Sequence, residues 1–502
     1  MNGRGRALTG ALYAMGAALV YLVTLQVRER AGLWGALGTD APLWGLTALD
    51  LEGRTPLVPP GYPALIRVLY EAGLPLVTAG WNVSAVAGAF IPCAVFWAAL
   101  TGGATRSAAV IAAALALVCP DVAVWSQQVQ PDSLAALGLV LAGGLSCRAM
   151  QGSARAALLL ALVAGLLPLV RSHGLALVPL AVVVLFQAPV ARGRSLALLV
   201  VCWWAGPWIL GGARGWSPFD VTWSDRTSSA VSGLLETDAK SIPYIRELHH
   251  HQRREYLALV TEGRLLSRLV WHCTRSLELA RDGWVWIGAA ILASGIGRRR
   301  ENLALAAPLL CAAPALIIWS QRRHVMVVVP LALAVLAITW RRPVGPARWR
   351  NRVPPILSLV LACLLASSWP AAWKNSLHGL RTETVRARTY ARVGDWLAEN
   401  APRGSLLGSL HQDLGLYHPL PRHDPDGSAA DWRTFLVTDR SPPVGWSELA
   451  TPAGGLTIYR LEPDIDPRPC SQATLQRHLP HLLVGAAKVE LYDCEPADPR
   501  LP

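Results

Sequence analysis

The sequence predicts a mainly α-helical polytopic membrane protein of about eleven transmembrane helices, followed by a C-terminal soluble α/β domain. Charged residues form only 16% of the 502 residues, whereas about a quarter is usual in soluble domains. The apolar residues occur in long runs, and alternate gaps between these runs are rich in arginine and hold a single acid, Glu301. The net charge of +13 therefore indicates cytoplasmic loops and not a nucleic-acid surface.

The predicted spans alternate between the two sides of the membrane. A basic start precedes the first run, which is long and has no small-residue cleavage site after it, so we interpret it as a transmembrane helix and not as a signal peptide. The N-terminus then lies in the cytoplasm. The spans are predicted at 8–27, 76–100, 107–124, 133–150, 156–170, 175–186, 195–210, 284–296, 303–319, 325–340 and 355–369.

This topology divides the chain into a membrane domain, 1–372, and an extracytoplasmic α/β domain, 373–502. The membrane domain has two large outer loops, 28–75 and 211–283, and the second contains a predicted surface helix within 245–260. The soluble domain is predicted to begin with a helix at 375–400 that ends before Pro402. Strands are predicted at 405–410, 434–439, 456–461 and 489–493. A disulfide between Cys470 and Cys494 is compatible with an outer location.

Ionisable residues gather at the predicted outer ends of the spans. Such groups are expensive at membrane depth and usually have a partner or a task. They are Asp40, Arg54, Asp132, Arg171, His173, Arg322, Arg323 and His324. Asp132 follows Pro131 and has an alternative interpretation as a helix N-cap, and Arg171 has one as an interfacial residue.

Several familiar motifs are missing from the sequence. It contains no GxxxxGK[ST], HExxH or CxxC pattern, which argues against an ATP-driven pump and a membrane zinc protease. His249–His251 lie among charged residues on the predicted surface helix and are not interpreted as metal ligands.

Short motifs in a fixed order resemble the GT-C glycosyltransferases, most closely glycosyltransferase family 39 with the protein O-mannosyltransferases and the lipid A aminoarabinose transferase. The first is Asp40 followed by an amphipathic stretch and PPGYP. The others are QPD ending at Asp132, an Arg-containing start of a span, a basic cluster before a proline-containing helix, and an outer segment at 390–409 with strands. In the order just given, these five motifs lie at 40–63, 130–132, 169–180, 322–337 and 390–461. The resemblance therefore covers nearly the whole chain.

The resemblance implies a GT-C fold and sugar transfer from a polyprenyl-phosphate donor to a lipid, glycan or protein acceptor at the outer face. It makes Asp40 the candidate general base and Asp132 a second catalytic residue that orients acceptor or sugar or helps to hold a cation. The candidate donor-phosphate contacts are Arg54, Arg171, Arg322, Arg323 and His324. The motifs require no cofactor, and the participation of a divalent cation stays open. The arginine-, alanine- and tryptophan-rich usage predicts a bacterial cell membrane.

Two departures limit the resemblance. Ala41 follows Asp40 where many members have glutamate, and Val58 stands where aminoarabinose transferases have lysine. The aminoarabinose reaction itself is therefore not predicted. The alternatives are a transporter or flippase of a lipid-linked intermediate and a membrane-anchored scaffold. A transporter more often has duplicated halves and ionisable groups near the midplane, neither of which the sequence indicates.

Overall fold

The computed structural model describes the chain from 58 to 211 and separate segments on either side. The described residues are 15–23, 25–26, 41–49, 58–211, 258, 260–279, 284–291, 300–310, 325–339, 367, 369–400, 406–409, 434–438, 446–453 and 456–461. Both ends of the predicted first span, most of the spans at 303–319 and 355–369, most of 245–260, the strand at 489–493 and the cysteine pair lie outside these ranges.

Helices form the described chain up to residue 400. They are α1 (15–23), α2 (Ala41–Leu49), α3 (Gly61–Glu71), α4 (Leu76–Thr101), α5 (Arg106–Val118), α6 (Pro120–Trp125), α7 (Asp132–Met150), α8 (Ala154–Val170), a 3₁₀ turn (Ser172–Ala176), α9 (Leu177–Gln187), α10 (Arg192–Gly211), α11 (Leu265–Leu279), α12 (284–291), α13 (Arg300–Ala306), α14 (Val325–Thr339) and α15 (Trp369–Asn400). The helices predicted from 76, 133, 156, 195 and 325 are confirmed to within a few residues.

The apolar helices make this chain an integral membrane protein. Among the described residues, α4, α7 and Arg192–Leu210 are each long and apolar enough to cross a membrane. Further apolar helices are shorter, at Arg106–Val118, Ala154–Val170, Gly174–Gln187 and Val327–Ile338. The number of about eleven spans and the direction of the termini stay predictions.

Tight turns join the helices at the predicted cytoplasmic end. Thr105 caps α5 by accepting the Ala108 N–H at 3.2 Å, and Ser153 caps α8 by accepting the Ala156 N–H at 3.3 Å. Gly103 and Gly152, in the two turns, both have φ of 87°, a conformation that glycine adopts without a steric penalty. The sequence thus specifies short returns between neighbouring antiparallel helices.

The predicted third span, 107–124, is interrupted. Helix α5 ends at Val118, Cys119 adopts φ −63° and ψ 121°, and Pro120 begins α6. A proline lacks the N–H that would continue α5, and it disfavours the helical conformation of the residue before it. The prediction of one continuous helix is therefore wrong at Cys119, where the chain leaves the helical conformation.

The centre of the bundle is packed with small and aliphatic side chains. All side chains from 327 to 338 of α14 are buried, as expected for a helix that is apolar on every face. On α7, a Cβ at Gly143 would lie 2.8 Å from the Leu305 carbonyl oxygen, and one at Gly144 would lie 2.2 Å from the Trp97 ring. These glycines allow α7 to approach its neighbours closely.

The C-terminal part combines α15 with a four-stranded sheet. The strands β1 (Leu406–Ser409), β2 (Thr434–Thr438), β3 (Trp446–Ala453) and β4 (Leu456–Leu461) lie in the order β1-β2-β4-β3. Strands β1 and β2 are parallel, and β4 pairs antiparallel with β2 and β3. The sequence predicts β1, β2 and β4 but not β3, whose pairing contains register shifts. Helix α15 crosses the predicted domain boundary at 372, and the division into two domains stays a prediction.

Candidate functional site

Buried polar side chains converge where α7 begins and α8 ends. Because α7 and α8 are antiparallel neighbours, Asp132 and Arg171 lie at the same end of the bundle, which the predicted topology places outside. The start of α4 and helices α2 and α3 complete the arrangement. We call Trp44, Tyr62, Ser84, Asp132 and Arg171 the outer cluster.

Asp132 and Arg171 form an ion pair across the sequence. Arg171 Nη2 donates a hydrogen bond to Asp132 Oδ1, and the side chains are 10% and 0% exposed. Pro131 is the N-cap of α7, so Asp132 is the first helical residue and makes no side-chain cap, and the N-cap interpretation is wrong. A carboxylate in the first turn is favoured by the helix dipole. Arg171 follows α8 in extended conformation, φ −149° and ψ 134°.

Trp44 of α2 covers the arginine. The Arg171 Cζ atom lies 5.8 Å from the centroid of the Trp44 ring, within the range of a cation–π contact. The Trp44 ring also meets the Tyr62 ring edge-on, with centroids 5.6 Å apart and planes at 90°. Helix α2 is thereby attached to α3 on one side and to the ion pair on the other.

A hydrogen-bond network connects α3, α4 and the turn before Asp132. Tyr62 Oη lies 2.8 Å from both the Gly80 carbonyl oxygen and Ser84 Oγ. Ser84 Oγ donates to the Gln130 carbonyl oxygen at 2.7 Å, and Ser133 Oγ donates to the Ser84 carbonyl oxygen at 2.9 Å. Burial raises the pKa of the Tyr62 hydroxyl far above its ordinary value, and the Asp132 carboxylate adds to this effect. Tyr62 is therefore a neutral hydrogen-bond donor.

Gly61, within the PPGYP motif, allows α3 to reach α8. A Cβ at this position would lie 2.9 Å from the Leu169 carbonyl oxygen. Only a glycine fits against that backbone, two residues before Arg171. Helix α15 closes the other side of this region, where Ala387, Tyr390 and Val393 join the buried apolar cluster around Trp44 and Tyr62.

Among the buried polar atoms of this region, three on α2 and α7 have no hydrogen-bond partner among the residues that the structure describes. They are Asp132 Oδ2, Trp44 Nε1 and Thr47 Oγ1. Their residues are 0%, 1% and 6% exposed. Buried polar groups are normally paired, so atoms of this kind are candidates for contact with a ligand.

The structure brings together two of the predicted site residues, Asp132 and Arg171. The Asp132 carboxylate balances the charge of Arg171, which the sequence assigns to the donor phosphate. The side chain of His173 is not described, and Asp40 lies directly before α2, whose first residue Ala41 is fully buried. Asp40 lies outside the described ranges. So do the remaining predicted site residues, Arg54, Arg322, Arg323 and His324.

Sequence reasoning misses Trp44, Tyr62 and Ser84. The available indications were the position of Trp44 four residues after Asp40 and the tyrosine within PPGYP. Both residues are also typical of membrane interfaces, where aromatic side chains are enriched, so neither is distinctive. Within the described part of the chain, no group of three or more His, Cys, Asp and Glu residues is placed to hold a metal ion. The requirement for a divalent cation stays untested.

Comparisons with known proteins support the predicted fold. No protein-family model and no curated protein matches the chain. Among solved structures, it is similar to ArnT from Cupriavidus metallidurans bound to undecaprenyl phosphate, with 15% identity over 90% of this chain and 97% of that chain and a TM-score of 0.51.

Two further solved structures have lower scores. An apo oligosaccharyltransferase from Archaeoglobus fulgidus has 14% identity over 78% of this chain and 58% of that chain, with a TM-score of 0.42. The mycobacterial arabinofuranosyltransferase AftD has 16% identity over 80% of this chain and 31% of that chain, with a TM-score of 0.36. The likeness to ArnT carries the fold assignment: the chain shares the fold of that solved structure.

Proposed function

We propose that this protein is a membrane glycosyltransferase that transfers a sugar from a polyprenyl-phosphate-linked donor to an acceptor at the outer face of the membrane. The observation that carries the proposal is the buried Asp132–Arg171 pair within a GT-C fold. Removing two ions from water is unfavourable even when they pair. A buried ion pair therefore suggests a functional role. The likeness to ArnT, whose structure contains undecaprenyl phosphate, supports this class of donor.

Asp40 is the proposed general base. The acceptor hydroxyl gives its proton to the Asp40 carboxylate as its oxygen attacks the anomeric carbon, and the bond from that carbon to the phosphate oxygen breaks. The electron pair leaves with the phosphate. In this in-line displacement the configuration at the anomeric carbon inverts. Ala41 is fully buried, so the chain directly after Asp40 is anchored in the protein.

The phosphate contacts are proposed for Arg54 and for the basic cluster of Arg322, Arg323 and His324. One guanidinium group can donate hydrogen bonds to two phosphate oxygens at once, and it stabilises the charge that develops as the phosphate leaves. For Arg171 we propose a different task from the one that the sequence indicates. Its charge is already balanced by Asp132, so it orients the carboxylate and is a weak attractor of a second anion.

The test is turnover by the full-length protein in detergent with polyprenyl-phosphate-linked mannose, glucose and arabinose. We expect turnover of one donor, including slow hydrolysis to free sugar, and its loss by at least 100-fold in Asp40→Asn. Asp50→Asn, in the same outer loop, is the matched control and is expected to keep the wild-type rate. Turnover that survives Asp40→Asn would move the base to another residue. Binding of donors without any turnover would favour a flippase.

A cation is tested in the same assay. Treatment with EDTA and dialysis leaves the rate unchanged if the site's own arginines stabilise the phosphate. A rate that falls and returns with Mn²⁺ or Mg²⁺ would show that a divalent cation takes part.

A further inference from the structure

The outer cluster contains buried polar atoms that have no hydrogen-bond partner in the part of the chain that the structure describes. Asp132 Oδ2 and Trp44 Nε1 belong to side chains that contact Arg171. Thr47 lies three residues after Trp44 on α2, which places both on one face of that helix. Among the described residues none of the three atoms has a hydrogen-bond partner, and their residues are at least nine-tenths buried. A buried polar atom without a partner destabilises the fold.

The three atoms differ in hydrogen-bonding character, and this limits what can occupy them. A carboxylate oxygen only accepts, an indole N–H only donates, and a threonine hydroxyl does both. A phosphate would accept from Trp44 but could not pair with Asp132 Oδ2, because both groups are hydrogen-bond acceptors. A cation would suit Asp132 but gains nothing from an indole N–H beside the charge of Arg171. A sugar suits all three atoms, because its neighbouring hydroxyl groups each donate and accept.

We propose that Trp44 and Thr47 of α2, together with Asp132, form the subsite that binds the hydroxyl groups of the transferred sugar. This inference rests on the proposed function and adds the part of the donor that these residues contact. The Trp44 ring holds Arg171, Arg171 holds Asp132 Oδ1, and Oδ2 is left to accept from a sugar hydroxyl. The Trp44 N–H donates to a second hydroxyl, and Thr47 Oγ1 contacts a third. The donor phosphate lies at Arg54 and at the basic cluster of Arg322, Arg323 and His324.

The subsite predicts that the sugar itself contributes to donor affinity. The experiment measures the Kd of farnesyl phosphate and of farnesyl-phosphoryl mannose, glucose and arabinose for the full-length protein in detergent, by competition with radiolabelled undecaprenyl phosphate. We expect at least one sugar-bearing lipid to bind about 10- to 100-fold more tightly than farnesyl phosphate, as for a few hydrogen bonds that include one to a charged group.

Two variants remove single hydrogen-bonding groups with little change of shape. Trp44→Phe keeps an aromatic ring for Arg171 and Tyr62 but removes the N–H, and Thr47→Val removes the hydroxyl. Each is expected to reduce the affinity gain from the sugar about 3- to 10-fold. Trp203→Phe is the matched control, because Trp203 Nε1 is also buried without a partner among the described residues but lies on α10, in a separate cluster. It is expected to keep the wild-type gain.

The other possible outcomes contradict either the sugar subsite or the proposed donor class. Equal affinity for farnesyl phosphate and every sugar-bearing lipid would refute the subsite and leave the donor class standing. A gain that is unchanged in Trp44→Phe and Thr47→Val would show that these atoms hold water or nothing. If wild-type protein binds none of the lipids, the proposed donor class is wrong, and the subsite with it. If Trp44→Phe does not fold, Thr47→Val decides the question alone.

Discussion

At the centre of the bundle, α7 meets α13 and α14 through glycine and aliphatic side chains, whereas at its outer end the same helix begins with a buried carboxylate. Both regions exclude solvent, but they do so by different means. Gly143 and Gly144 allow close contact with Leu305 and Trp97. Asp132 needs Arg171, and one of its oxygens is still without a partner among the described residues. The centre is therefore held together by close apolar packing, whereas the outer end buries a charged pair, and selective substitutions can test the two regions separately.

The largest effect is expected at the ion pair. Arg171→Met leaves the fully buried Asp132 carboxylate without its positive partner, which should lower the free energy of unfolding by about 3–5 kcal/mol. Unfolding by SDS in mixed detergent micelles measures this change. The double variant Asp132→Leu/Arg171→Met removes both charges and should recover most of the stability while remaining inactive. A double variant that is as unstable as Arg171→Met would show that packing, and not the unpaired charge, dominates.

The next effect tests the close packing at the centre. Gly143→Ala places a Cβ 2.8 Å from the Leu305 carbonyl oxygen, a backbone atom that cannot move aside easily. We expect a loss of about 2–3 kcal/mol in the same unfolding assay, with little change in donor affinity. Gly288→Ala is the control, because its Cβ meets nothing within 4 Å and alanine favours a helix. Similar losses in both variants would contradict close packing at α7.

Ser84→Ala gives a smaller effect at the outer end. It removes the hydroxyl that contacts both Tyr62 Oη and the Gln130 carbonyl oxygen, and should reduce the free energy of unfolding by about 1–2 kcal/mol. Ser146→Ala is the matched control, since its hydroxyl is buried without a partner among the described residues. That variant should be neutral or slightly more stable. Equal destabilisation of the two would mean that the network at Ser84 contributes nothing.

The smallest effect is expected for an ion pair that is exposed to solvent. Arg67 Nε donates to Glu71 Oε1 at 2.7 Å on α3, but the side chains are 32% and 59% exposed. Glu71→Gln should change the free energy of unfolding by less than about 0.5 kcal/mol, because solvent screens such pairs. Compared with Arg171→Met, it shows how far burial decides the strength of an ion pair. A loss above 1 kcal/mol would argue against that view.

The helices were predictable wherever hydrophobicity alone determines them. The prediction at 76–100 agrees with α4 because the run is apolar and ends at glycines. The same method overlooks the bend at Cys119, because the effect of Pro120 on the preceding residue does not alter hydropathy. It also misses α11, whose apolar residues are separated by polar ones, and β3, where the segment WSELATPA lacks a regular alternation.

The candidate site was predictable in its location and not in its contacts. The alternating topology places Asp132 and Arg171 at the same face of the membrane. That they form a pair depends on how α7 and α8 are oriented about their axes, which residues 39 positions apart do not reveal. The role of Trp44 depends on the docking of α2, a short helix whose apolar residues would suit either an interface or a core.

The ion pair has an electrical consequence. The Asp132 carboxylate and the Arg171 guanidinium together carry no net charge. A potential of 100 mV does about 2.3 kcal/mol of work on each elementary charge that crosses the membrane, but it does almost none on a neutral pair. An isolated arginine at the same depth would be displaced by each change in that potential. An energised cell membrane and an unpolarised vesicle therefore present the same setting to this part of the protein.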